Sequence, residues 1–269
     1  TNALQSRARI RSARARASRG PEVPGAAEAL WWCRERRALC RSRGAAADAA
    51  AVVGRGLAMD LLSVGIDLDL APVMDVDSNP ANPVIGPRSF GTEPGIVSAC
   101  GAAMIDAMQS RGLAACAKHF PGHGDTDLDS HHDLPVLRHE MDRIREIELP
   151  PFAAAIRADV AAIMTTHVVF EAIDPGVPAT MSRAAIEGLL RGELGYDGVV
   201  ISDDLEMAAI AESTEVGEAA IRSVEAGVDL LLCCHRPERQ RRVLDALADA
   251  VTEGRLTEAR IDESIRRLD

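Results

Sequence analysis

Leu113-Ala114-Ala115-Cys116-Ala117-Lys118 runs directly into His119-Phe120-Pro121-Gly122-His123-Gly124-Asp125. The first half is almost continuously apolar, as a strand buried on both faces must be, and the second half is a reactive loop punctuated by Gly and Pro. Residues 118 to 131 carry the only lysine of the chain, three histidines and three aspartates. Because the other 29 basic residues are all arginine, Lys118 reads as a working group at a strand end and not as a casual surface charge.

The same arrangement recurs along the chain. Five apolar runs read as strands: Ile66–Ala71, Leu113–Lys118, Val160–Thr165, Gly198–Ser202 and Val228–Leu232. Between them, helical periodicity marks 45–63, 95–111, 141–157, 182–193, 215–226 and 237–253, with a last helix at 257–268. Ser182 and Thr257 are placed to cap two of these. Polar, reactive residues fall just past the strand ends: Asp75 and Asp77, then Lys118 to His131, then His167, then Asp203 and Asp204. Chemistry gathered on one rim is the mark of an α/β fold of the (β/α)8 TIM-type barrel class, whose loops at the C-terminal end of the strands build the active site. A doubly wound open sheet is the alternative. The first two strands are not recognisable, so the barrel is expected to be incomplete at its N-terminus.

Composition narrows the function. With 269 residues and 47% hydrophobic content, the chain can bury a large core within one catalytic domain. Its net charge of −11 is split, with +8 in residues 1–44 and −19 in residues 45–269. An acidic body argues against nucleic acid as a partner. No apolar run reaches membrane-spanning length, and no leader pattern is visible, so no membrane association is expected. Six cysteines without a Cys-x-x-Cys pair, with Cys100, Cys116 and the adjacent Cys233 and Cys234 in apolar surroundings, read as reduced core residues of a cytoplasmic protein.

Residues 1–44 stand apart. They combine Arg-Ala-Arg-Ile-Arg-Ser-Ala-Arg-Ala-Arg with Pro21, Pro24 and Trp31-Trp32-Cys33, and have neither strand nor helix periodicity. No fold is assigned to this atypical tract. It resembles a GC-rich reading frame translated out of register, with natural divergence as the rival explanation, or a basic arm for an anionic partner. The catalytic domain is expected over 45–269.

Lys118-His119-Phe120-Pro121-Gly122-His123-Gly124 followed by Asp129-Ser130-His131 resembles the signature of glycoside hydrolase family 3, in its bacterial β-N-acetylhexosaminidase branch. Asn79-Pro80 through Arg88-Ser89-Phe90-Gly91, Pro178-Ala179-Thr180-Met181-Ser182 and Val200-Ile201-Ser202-Asp203-Asp204-Leu205-Glu206-Met207 are also similar to that branch, in the same order. The resemblance implies retaining hydrolysis of terminal β-linked N-acetylglucosamine, from muropeptides in cell-wall recycling. A monomer without cofactor is expected, and no metal, because His119, His123, His131 and His132 lack a carboxylate at the helical His-Glu-x-x-His spacing of a hydrolytic zinc site. By this resemblance Asp203 is the nucleophile and Asp204 its neighbour. His131 is the general acid/base with Asp129 as its partner, and Arg88, Lys118 and His119 bind the sugar.

Other residues keep two readings. His123, between glycines, suits bracing of the loop, whereas His167 either lines the site or fills the rim. Asp67 and Asp69 are structural carboxylates or ligands. Phe120 is the only ring in the loaded loop, so polar contacts are expected to dominate over stacking. The branch ordinarily carries Asp-Gln-Glu-Gly-Gly-Arg-Val before the helix at 45–63, and that motif is absent. A catalytically impaired or dead sugar-binding homologue is therefore the competing function, and a β-glucosidase-like relative is the third.

Overall fold

The computed structural model describes residues 43–126, 134–211 and 214–269. Five strands form one parallel sheet in the order β1 (Leu68–Asp69), β2 (Ala114–Phe120), β4 (Ala162–Thr165), β6 (Val199–Asp204) and β7 (Leu230–Leu232). Each overlaps one of the five apolar runs. A second parallel pair, β3 (Val136–Leu137) and β5 (Val169–Phe170), lies in the loops beyond the strand ends. Strands that neighbour one another in chain order, joined by helical crossovers, make a curled parallel arc of a TIM-like barrel. The expected barrel incompleteness agrees with this arc, in which β1 and β7 are the edges among the described residues.

Helices cover the outside: α1 (Arg43–Ser63), α2 (Pro94–Gln109), α3 (Met141–Arg143), α4 (Leu149–Arg157), α5 (Ala208–Ala211), α6 (Val216–Ala226), α7 (Pro237–Thr252) and α8 (Glu258–Leu268). The helix expected over 141–157 is interrupted by a π-turn at Ile144–Glu148. Pro150 and Pro151 follow it, and their missing N–H groups prevent a regular ladder from crossing this point. The segment Ala184–Glu193 also winds as a π-helix. Its start is braced as the sequence predicts, with Ser182 Oγ accepting the Ala185 N–H at 3.1 Å. Thr257 Oγ1 caps α8 through the Arg260 N–H at 3.2 Å.

Strand alternation sorts the side chains into two layers. Ala115, Ala117, Ile163 and Val200 join the main core under the helices, where Phe120 and Phe152 meet edge to face at 5.2 Å. Each such ring contributes about 1.5–3 kcal/mol on burial. Cys116, Ala162, Met164 and Ile201 form the inner cluster, flanked by Leu68, Leu70, Val199, Leu230 and Leu232. Two residues beyond Cys116 comes Lys118, and two beyond Ile201 comes Asp203. The same period of two therefore places both on the inner face at the C-terminal mouth of the arc.

The base of the arc is tied by Asp229, whose side chain is wholly buried. It pairs with Arg191 at 2.8 Å, Arg260 at 3.2 Å and Arg267 at 3.1 Å, joining β7 to the π-helix and to α8. Cys100 and Cys116 are buried free thiols, as expected. The Cys233–Cys234 pair is not buried: Cys234 is exposed, and half-buried Cys233 lies 3.6 Å from a Glu206 carboxylate oxygen. No helix among the described residues is long and apolar enough to cross a membrane.

Candidate active site

The loop after β2 is organised by one carboxylate. Asp75, 1% exposed, accepts the His119 N–H at 3.2 Å and the His123 N–H at 2.7 Å on Oδ1, while Oδ2 lies 2.7 Å from His119 Nδ1. Burial alone raises such a carboxyl. The charge and hydrogen bond of His119, together with His123, outweigh it and hold Asp75 below the usual range. An ionised Asp75 can only accept, so His119 carries its proton on Nδ1.

The peptides Lys118–His119 and Phe120–Pro121 are both cis. Gly124 passes so close to the Val76 backbone that a Cβ there would stand 1.7 Å from the Val76 carbonyl oxygen. His123 braces this turn, as its place between glycines suggested, with Nδ1 2.8 Å from Thr126 Oγ1. Phe120 points into the core and is fully buried, so it offers no stacking platform.

Asp203 sits at the end of β6 and is partly buried, with Oδ1 accepting the Asp204 N–H at 2.8 Å. Burial opposes its ionisation, but His119, His167, the Asp204 N–H and Lys118 together hold its carboxyl below the usual range. Burial lowers Lys118, and nearby Arg88 adds to that, while Asp203 and Asp69 act in the opposite sense. Arg88, Lys118, His119 and Asp203 thus form one electrostatic neighbourhood. Asp69 belongs to it as well: burial raises its carboxyl, and Lys118 opposes that.

Asp204 is committed elsewhere. Its Oδ1 accepts the Glu206 N–H at 3.1 Å and the Cys234 N–H at 3.3 Å, and Oδ2 is 2.9 Å from His235 Nε2. Glu206 adds to this clasp by accepting the His235 and Arg236 N–H groups at 2.5 and 3.1 Å, next to the start of α7. His167 is fully buried, with Nε2 donating to the Asp204 carbonyl at 3.0 Å and Nδ1 2.9 Å from Thr180 Oγ1. Both ring nitrogens are therefore engaged with protein, and burial lowers its pKa. The ring is thereby tied to the end of β6, next to the Asp203 carboxylate on which it acts.

His131 and Asp129 lie outside the described residues, as do His132 and residues 1–42. Two positioning groups, Asp75 and Glu206, were not singled out as such from sequence. Asp75 had been noted only as a rim carboxylate, and neither residue has a local pattern that reveals distant backbone partners.

A parallel α/β arc with ionised carboxylate, imidazole and ammonium groups at the mouth of its strands defines a barrel-type enzyme site. The chain belongs to glycosyl hydrolase family 3: its residues 34–269 match the N-terminal domain of that family. It is 38% identical over 234 residues to "Beta-hexosaminidase A" of Pseudoalteromonas piscicida, an alignment covering 80% of this chain and 39% of that protein. A "Beta-hexosaminidase" of Thiobacillus denitrificans is 41% identical over 194 residues, covering 72% of this chain and 54% of its own length.

Among solved structures, the family 3 beta-N-acetylglucosaminidase from Paenibacillus sp. str. FPU-7 superposes with a TM-score of 0.81 at 48% identity, over 91% of this chain and 45% of that one. Beta-N-acetylhexosaminidase from Beutenbergia cavernae gives a TM-score of 0.76 at 32% identity, over 94% and 73%. The alignments span 39% and 54% of the two curated relatives named.

Proposed function

We propose that the protein hydrolyses terminal non-reducing β-linked N-acetylglucosamine with retention of configuration. Asp203 is the nucleophile of this reading, attacking the anomeric carbon to give a glycosyl-enzyme intermediate. In the same reading His131, with Asp129 as its partner, protonates the leaving oxygen and then deprotonates the attacking water. Arg88, Lys118 and His119 hold the sugar hydroxyls. The observation that carries the reading is the contrast between the two neighbouring aspartates: Asp204 is bound on both carboxylate oxygens by the loop clasp. Asp203 faces the mouth beside Lys118 and is held ionised.

The catalytic unit of this reading is residues 45–269, with residues 1–44 set apart from it. Its substrates are muropeptides or chito-oligosaccharides met in the cytoplasm, taken by a monomer that needs no cofactor. Release of a chromophore from an aryl β-N-acetylglucosaminide tests it, since the parent chain should turn over and Asp203→Asn should not. Preference for the aryl glucoside would favour a β-glucosidase.

A second reading has its own support. The Asp-Gln-Glu-Gly-Gly-Arg-Val motif is absent from the sequence, and β1, beside the place it would occupy, is an edge strand among the described residues. A chain that binds N-acetylglucosamine without turnover would be the impaired, sugar-binding homologue.

A further inference from the structure

We propose that Asp75 is a positioning residue for this hydrolysis, fixing His119 as the Nδ1–H tautomer and leaving Nε2 to meet the sugar beside Asp203. The inference rests on the glycosidase reading of the site and deepens it. Three contacts carry it. Asp75 Oδ1 takes two backbone N–H groups of the loop, at 3.2 Å from His119 and 2.7 Å from His123. Oδ2 takes the His119 ring at 2.7 Å. One carboxylate therefore fixes the path of the loop and the tautomer of its ring together.

His119 Nε2 has no hydrogen-bond partner among the described residues, although the residue is only 5% exposed. In the neutral ring Nε2 accepts a sugar hydroxyl, and in the charged ring it donates to one. The ionisable groups that act on His119 are Asp75, His123 in the turn, His167 beyond β4 and Asp203 on β6, with Lys118 next to it on β2. His119 stands first among the groups that favour the Asp203 carboxylate. A ring turned to the wrong tautomer would present an N–H where the sugar hydroxyl needs an acceptor.

Asp75→Asn separates structure from positioning. The amide oxygen can still accept both backbone N–H groups, so the loop is retained. The amide nitrogen replaces Oδ2 and donates to Nδ1, which drives His119 to the Nε2–H tautomer. A misplaced positioning group of this kind costs about 10²-fold in turnover.

The experiment is nitrogen-15 NMR of the His119 ring in the full chain and in Asp75→Asn, with aryl N-acetylglucosaminide kinetics and N-acetylglucosamine titration on both. Expected are an Nδ1–H ring in the parent, an Nε2–H ring in the variant, and a fall in kcat of that size with little change in Tm. An Nε2–H ring in the parent overturns the proposal even if the variant fails to fold. So does a folded variant with kcat within about threefold of the parent, a change too small for a lost transition-state contact. If the parent lacks turnover, the glycosidase reading falls alone. The Asp75 claim is then decided by the ring signals and by whether Asp75→Asn weakens N-acetylglucosamine binding.

Discussion

Asp204 holds His235 across the mouth of the arc, with Oδ2 2.9 Å from Nε2, and its Oδ1 takes the Cys234 N–H at 3.3 Å. The carboxylate next to the proposed nucleophile thus ties the loop after β6 to the loop after β7. Asp204→Ala strips the Glu206 and Cys234 N–H groups of their acceptor. The expected cost is about 1–3 kcal/mol, measured as a lowered midpoint in urea. An unchanged midpoint would show that the clasp carries no stability.

Asp229 supports a stronger expectation. Asp229→Ala leaves Arg191, Arg260 and Arg267 without their shared carboxylate, and the Asp229 side chain is fully buried. Removing one partner of a buried ion cluster costs about 3–5 kcal/mol. Thermal unfolding of the variant should fall steeply while the mouth of the sheet, at the opposite end of the strands, is untouched.

Gly124→Ala probes the turn that follows His123. Its Cβ would stand 1.7 Å from the Val76 carbonyl oxygen, and the clash is with backbone, which cannot rotate aside. Overpacking of about 1–3 kcal/mol or more is expected, together with lost activity, because the same turn carries the Asp75 contacts. A variant as active and stable as the parent would contradict the close approach.

Stability should also depend on pH in a particular window. Burial, the leading cause in each case, lowers both His123 and His167 from the ordinary 6.5. Below 6.5 the unfolded chain binds protons that the folded chain refuses, so stability that is complete above that value is lost as pH falls. Asp75 and Asp203 are held below 3.8, and their contribution is present above 3.8 and is lost only as pH falls below it. Tm should therefore begin to drop as pH falls below 6.5, with less slope in His167→Gln. A flat profile below that value would refute the buried neutral imidazoles.

The fold was legible because strands buried on both faces leave an unmistakable mark. Leu113–Lys118 anticipated Ala114–Phe120, and Val228–Leu232 anticipated Leu230–Leu232. Val136–Leu137 and Val169–Phe170 escaped notice because two residues carry no periodicity. Within the site, Lys118, His119 and Asp203 stood out by residue type and by their place at strand ends. Asp75 was visible only as a rim carboxylate, and Asp229, at the base of the arc, not at all, since their meaning lies in partners 44 and 38 positions away. The exposure of Cys234 was missed for a related reason: an apolar run upstream says nothing about the loop clasp that draws Cys233 and Cys234 out of the core.

In the proposed reaction the Asp203 carboxylate attacks the anomeric carbon. The most direct measurement is mass spectrometry of the chain after reaction with a slow-turnover 5-fluoro N-acetylglucosaminyl donor. One added glycosyl group is expected on the peptide that contains Asp203, and none on Asp203→Asn. A label on Asp204, or turnover that survives in Asp203→Asn, would contradict it.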